Sequence, residues 1–402
     1  MLKLIKRHVA ILIVFVMLFQ VVACTKAETP NDKIPNEVTS GNETSGNENS
    51  NNETPKDEAK LIQATVIEIE KYGHAVLNLT TAEFFTAGYA LGDVVCVRFG
   101  SYEFKMPFYD GYYTNPGGVM LRGLAPEKNI GVCINYGDLS VETGIAVGDA
   151  VEITLAEKAG MLAYQELCSL KYSNDRADYT DDATFANFRG VTLGTIGSGK
   201  LYRSASPINN EHGRAKFANA FIQEANVATV LNLADSEEDI AEYIAAEDFE
   251  SEYYLSLYES GKVIVLDLTA NFYSEKFATS LVDGLRFLAQ NDPPYVVHCT
   301  EGKDRAGFTI MLLGALMGAD LQSIIDDYMI SFYNYYGIDK ESQPERYEVV
   351  LENNLMAMLY HVMDVDSLEE LQNTDLQAAA AEYLMDNGMT EEEILTLKEK
   401  LS

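Results

Sequence analysis

Tyr295-Val296-Val297-His298-Cys299-Thr300-Glu301-Gly302-Lys303-Asp304-Arg305-Ala306-Gly307 sets a cysteine six positions before an arginine, between an apolar strand and an apolar helix. Pro293 and Pro294 stop the strand upstream, so the pattern predicts β structure over Tyr295 to His298. Phe308, Ile310, Met311, Leu312, Leu313 and Leu316 predict a core helix from about Arg305 to Met317, with a tight turn at Gly302 between the two. A short loop that runs onto a helix N-terminus turns its backbone N–H groups toward a tetrahedral anion. The same field favours the thiolate of Cys299, which is the nucleophilic form. Arg305 adds a planar fork for two phosphate oxygens, a geometry that lysine does not reproduce. The residues therefore point to a thiol nucleophile on a phosphate-binding loop. A phosphate-binding module with little turnover would share this loop, and a sulfurtransferase also carries its cysteine on a loop before a helix.

At these residues the chain resembles the protein tyrosine phosphatase superfamily, whose signature is His-Cys, five residues, then Arg. The variant here is most similar to bacterial phosphatases that act on phosphotyrosine and phosphoinositides and carry Gly-Lys-Asp-Arg in the loop. Asn187-Phe188-Arg189 followed by Gly199-Lys200-Leu201-Tyr202-Arg203-Ser204 is similar to the opening strands of that family, so the resemblance runs from about Tyr179 to Gly337. It implies Cys299 as the nucleophile of a phosphocysteine intermediate and Arg305 as the phosphate clamp. His298, Thr300, Glu301, Gly302, Lys303 and Asp304 would surround the substrate, with no metal or cofactor required. His298 is expected to order the loop by hydrogen bonding, and Glu301 to weaken the positive potential of Lys303. Many relatives carry Ser or Thr directly after the loop arginine; Ala306 stands there in this chain, which implies slow turnover.

A general acid must come from a loop over the site. Asp267 is the first choice, because it ends an expected strand, Val263 to Leu268, precedes the loop Thr269 to Ser274, and stands 32 residues before Cys299, about where compact relatives place their acid. Asp304 is the main rival and Asp235 a weaker one. Cys96, Cys133 and Cys168 are expected to be inert core residues.

Lys3, Lys6 and Arg7 precede an apolar run from Val9 to Phe19, and Val21-Val22-Ala23-Cys24 follows. The pattern resembles a bacterial lipoprotein signal peptide, and the run falls short of the ~20 apolar residues that span a bilayer. Residues 1–23 would be removed, and Cys24 would carry the lipid that holds the chain on the outer side of a bacterial membrane. Residues 24–58 are rich in Asn, Glu, Thr, Ser and Gly and read as a disordered tether with a reach of roughly 30 Å. The formal net charge is −33, and the leader removes three positive charges and no acid. Nucleic acid is thereby excluded as a partner, leaving a phosphorylated protein, a peptide or an inositol-containing molecule.

Residues 59–158 alternate and turn in the manner of β structure. Leu91-Gly92-Asp93-Val94-Val95-Cys96-Val97 is echoed by Val147-Gly148-Asp149-Ala150-Val151-Glu152-Ile153, a Gly-Asp turn leading into a strand each time. With Tyr112-Tyr113, Pro116-Gly117-Gly118 and Val132 to Gly137, the segment resembles the C-terminal β-barrel of S-adenosylmethionine hydroxide adenosyltransferases. A small barrel that binds a ligand or spaces the next domain is expected, without the adenosyl chemistry. Residues 159–402 then alternate strand and helix, with strands over Val227 to Leu233 and Val263 to Leu268 and helices over about Gly213 to Ala225 and Glu275 to Gln290. The expected fold class is α/β, a central mainly parallel sheet flanked by helices, with the barrel before it. Tyr333, Tyr335 and Tyr336 form a cluster that is expected to pack in the core or to line an aromatic groove.

Overall fold

A computed structural model describes residues 60–114 and 116–402. The leader, the tether and Cys24 lie outside the described residues, which fall within one compact unit. No helix among the described residues is long and apolar enough to cross a membrane.

Seven strands close into a barrel: β1 (Ile62–Ile69), β2 (Ala75–Thr80), β3 (Val94–Phe99), β4 (Tyr102–Tyr109), β5 (Val119–Arg122), β6 (Asn129–Ile134) and β7 (Ala150–Glu157). The order around the barrel is β1-β2-β6-β5-β4-β3-β7, antiparallel throughout except for β4 with β5. Alternation fills the interior, since Val95, Val97 and Phe99 of β3 and Phe104, Met106 and Phe108 of β4 turn inward to one core. The echoed Gly-Asp turns are built alike. Gly92 and Gly148 have φ of +83° and +98°, and the carboxylates of Asp93 and Asp149 accept from the N–H three residues earlier, Ala90 at 2.8 Å and Ala146 at 2.9 Å.

The second half is built on a five-stranded sheet of order β11-β10-β12-β9-β8. Its strands are β8 (Arg189–Gly190), β9 (Leu201–Ser204), β10 (Thr229–Asn232), β11 (Val263–Val265) and β12 (Tyr295–His298). β11, β10, β12 and β9 pair in parallel, and β8 pairs antiparallel to β9. β12 has a covered face on each side: Tyr295 and Val297 enter the larger core, whereas Val296 enters a smaller one with Ile222 and Tyr254. In the helix Asp304–Leu316 every residue from Ala306 onward is buried, because the sheet lies on one side and the helix Leu376–Asp386 packs on the other. Each such Leu, Ile or Phe contributes about 1.5–3 kcal/mol of burial.

Two strands are shorter than the sequence suggests. β10 covers Thr229–Asn232 rather than Val227 to Leu233, and β11 stops at Val265 rather than Leu268. The cause at β11 is Asp267, whose φ of +47° turns the chain out of the sheet. Of the cysteines expected in the core, Cys133 is fully buried, but Cys96 and Cys168 are only partly so. Cys96 donates to Glu103 Oε1 at 3.1 Å. Burial still pushes these thiols up, to about 11 for Cys96, 12 for Cys133 and 11 for Cys168.

Candidate active site

The loop after β12 is shaped by what holds its carbonyls. His298 O accepts from Leu233 N at 3.0 Å, and Thr300 O accepts from Ser206 N at 3.1 Å. Glu301 O accepts from Tyr335 Oη at 2.7 Å and Asn187 Nδ2 at 3.1 Å. Gly302 O takes Arg203 Nη2 at 2.8 Å and Asn187 Nδ2 at 3.2 Å, and Lys303 O takes Arg203 Nη2 at 3.2 Å. Consecutive carbonyls are thus turned outward onto the scaffold. The N–H groups of Thr300 through Arg305 make no hydrogen bond to an acceptor among the described residues. That leaves a ring of free donors at the start of a helix, where an anion is favoured. Gly302 permits the turn: its φ is +67°, and a Cβ there would collide with the backbone of Ser204.

Cys299 opens this loop and is only 2% exposed. Arg305 closes it, donating from Nη2 to Thr300 Oγ1 at 3.0 Å and from Nη1 to Leu268 O at 2.8 Å. The guanidinium therefore folds back across the loop to the residue that follows Cys299, and it also ties down the segment after Asp267. His298 is completely buried with its ring edge-on to Tyr254. Burial pushes its imidazole down to about 3, with Arg305 adding to the effect and the Cys299 backbone opposing it. The imidazole's hydrogen-bonding neighbour on the loop is the Cys299 backbone, at a geometry short of a full hydrogen bond, and the backbone and arginine contacts add the rest of the loop's order.

Behind the loop lies a buried ion cluster that the sequence reading did not single out. Arg203, with no exposed surface, pairs with Asp327 Oδ2 at 2.6 Å, and Arg189 Nε pairs with Oδ1 of the same carboxylate at 3.1 Å. Asn187 and Ser331 complete the network. Burial pushes the Asp327 carboxyl up, but the two arginines outweigh it and hold the group below the usual carboxylate range. A signal existed in the sequence: Arg203 alternates in phase with Leu201 along β9, which places a cation on a core-facing position.

Lys303 is not free to take a second phosphate. Its Nζ meets Glu301 Oε2 at 2.9 Å, Tyr336 Oη at 3.1 Å and Asp304 Oδ2 at 3.8 Å. Glu301 is held in turn by Tyr172 Oη at 2.6 Å. Of the tyrosine cluster, Tyr335 is buried against the loop, Tyr336 covers Lys303, and Tyr333 is exposed.

The three candidate acids differ in setting. Asp267 is exposed at the start of the loop that Arg305 anchors through Leu268. Asp235 is buried, with Oδ2 accepting from Asn232 Nδ2 at 2.9 Å, and burial pushes its carboxyl up. Asp304 opens the helix and lines a cavity of about 600 Å³ that Ala270, Phe272, Lys303 and Tyr336 also line. Its side chain keeps 40% of its surface exposed, yet the surrounding protein pushes its carboxyl up against the opposing pull of Lys303.

A cysteine and an arginine at the two ends of a donor-lined loop, carried from a strand to a helix N-terminus, define the class of cysteine-dependent phosphatases. The chain belongs to the tyrosine phosphatase family, whose description matches residues 184–402. No curated protein matches. Among solved structures, the core catalytic domain of the PP-IP phosphatase SIW14 from S. cerevisiae, in complex with citrate, is 17% identical with a TM-score of 0.24, over 42% of this chain and 92% of that one. An uncharacterized conserved protein from Thermotoga maritima is 23% identical with a TM-score of 0.22, over 23% of this chain and 36% of that one. A conserved hypothetical protein from Thermus thermophilus is 17% identical with a TM-score of 0.18, over 24% of this chain and 35% of that one. The chain thus spans about a third of the length of these last two.

Proposed function

We propose that the protein hydrolyses phosphate monoesters, phosphotyrosine of a protein or peptide first among them. The observation that carries this is the loop itself: free N–H groups from Thr300 through Arg305, with Cys299 at one end and the Arg305 guanidinium folded across the other. The Cys299 thiolate attacks phosphorus, a sulfur–phosphorus bond forms, and the ester oxygen departs with a proton from a carboxylic acid. Water then attacks the phosphocysteine, the resulting carboxylate takes its proton, and inorganic phosphate leaves with the thiolate restored. Arg305 and the amides hold the equatorial oxygens through both steps. Asp304 suits the acid role, because it lines the cavity where a leaving group would extend and its carboxyl is pushed up, whereas Asp267 does not line that cavity.

Inositol phosphates are the alternative substrate class, and the geometry supports them less. They would need spare cations, and Lys303 is already neutralised by Glu301. A weakly catalytic phosphate-binding module is the reading from another class, favoured by one fact: Ala306 is wholly buried and offers no hydroxyl to the intermediate. A panel of phosphotyrosine peptides, phosphoinositides and inositol phosphates with the wild type and Cys299→Ser separates these readings. Peptide turnover that Cys299→Ser abolishes while retaining peptide binding is expected; wild-type binding without turnover would establish the binding module.

We also propose that the protein works outside the cytoplasm, lipid-anchored at Cys24. The support is the leader sequence alone. In a bacterial host, Cys24→Ser should move the protein from the membrane fraction to the soluble one; an unchanged distribution rejects the anchor.

A further inference from the structure

The cavity that begins at Asp304 has its far wall on the barrel. Tyr112, Tyr113 and Thr114 from the segment after β4, and Asn135 and Tyr136 from the turn after β6, face the catalytic loop across it. Hydrogen bonds tie this wall together: Asn135 Nδ2 donates to Thr114 O, Asn135 N to Gly118 O at 2.9 Å, and Gly117 N to Asn135 O at 2.7 Å. It is also fixed to the phosphatase half. The helix Leu162–Cys168 donates from Tyr164 Oη to Tyr113 O at 2.9 Å and from Gln165 Nε2 to Asp110 Oδ1 at 2.7 Å, while Leu167 of the same helix enters the phosphatase core.

Tyr136 is the informative residue. Its φ is +52°, a region that costs a bulky side chain and that Gly or Asn adopts readily, and its side chain is 62% exposed. The ring takes no part in the barrel core. Asn353 and Asn354 from a π-helical turn of the phosphatase half, Leu351–Met356, also line the cavity, and such an irregularity often marks functional sites. The lining is aromatic and amide-rich, and its single basic residue, Lys303, is already paired. Such a surface suits a chain with apolar or aromatic side groups and backbone amides rather than a second phosphate. A cavity near 600 Å³ exceeds what a phosphotyrosine ring alone would fill.

We infer that the barrel forms half of the substrate cleft, holding the peptide residues that flank a phosphotyrosine, with Tyr136 as a specificity-determining residue. The inference rests on the phosphatase reading, and its test separates the two. Tyr136→Asn removes the ring and keeps a residue that tolerates the backbone conformation, so folding is preserved. The expected result is a KM for phosphotyrosine peptides raised roughly five- to tenfold, with kcat and the KM for p-nitrophenyl phosphate within about twofold of wild type. Equal KM changes for peptide and p-nitrophenyl phosphate, or none for peptide, overturn it. Calorimetric binding of a phosphotyrosine peptide to Cys299→Ser and to Cys299→Ser/Tyr136→Asn decides the matter without turnover. Weaker binding by the double variant supports the cleft, and equal binding rejects it. Absence of wild-type turnover on every phosphate ester would instead reject the phosphatase reading.

Discussion

Asp304 and Asp267 both adjoin the Arg305 anchor, Asp304 as its chain neighbour and Asp267 beside Leu268, yet only Asp304 lines the cavity, and its carboxyl is pushed up. An acid that must hold its proton at the moment of bond breaking loses activity as pH rises through its own titration. With the Asp304 carboxyl above the ordinary aspartate range of about 4, the falling limb of kcat/KM should lie at higher pH than an ordinary aspartate would place it. Asp304→Asn should lower kcat for a phosphotyrosine peptide about 10²-fold and flatten that limb, while Asp267→Asn changes kcat less than about tenfold. The reverse ranking in a pH–rate series would restore Asp267 as the acid. The loop that carries Cys299, Gly302 and Arg305 was legible because strand, turn and helix follow one another in one short segment. Which carboxyl lines the cavity was not, since residues far apart in the chain, from Tyr112 to Met358, close it together.

Among the elements, the helix Leu321–Tyr336 does most to brace the catalytic loop from behind. It brings Asp327, Ser331 and Tyr335, spaced one turn apart on one face, to the outer side of the loop. Its helical character is evident from its apolar spacing, and Asp320 and Gly337 mark its ends as a side-chain cap and a left-handed stop. Its task was hidden, because the Arg203–Asp327 contact joins residues 124 positions apart. Asp327→Asn would leave the buried Arg203 and Arg189 facing a neutral amide, at a cost on the order of 3–5 kcal/mol. Because the folded-state carboxyl lies below its ordinary value, the stabilisation is present above about pH 4 and is lost as pH falls through the lower folded value. Denaturant midpoints should therefore drop sharply for the variant at pH 7, and the gap to wild type should narrow below about pH 4. A constant gap across that range would mean that Asp327 is not charged in the native state.

For the whole molecule, the question is whether barrel and phosphatase are two bodies on a string or one. Composition and periodicity separate them clearly, β-like alternation giving way to mixed spacing after about Met161, but that contrast says nothing about docking. The docking element is the short helix Leu162–Cys168, whose seven residues are too few to display a period. Leu167, 7% exposed, belongs to the phosphatase core, whereas Gln165 and Tyr164 on the neighbouring positions bond to the barrel. Met161 N also donates to Gly92 O at 2.8 Å, and Lys158 pairs with the fully buried Asp93 at 2.9 Å, so the barrel grips the helix from its first turn. A helix shared in this way couples the two cores. Leu167→Ala should cost about 2–5 kcal/mol by the cavity it leaves in the phosphatase core. If the halves unfold together, calorimetry should show one transition in the wild type and the same single transition moved to lower temperature in the variant. Independent halves would give two transitions of which only one moves, and the barrel wall facing the catalytic loop would then be free to swing away from it.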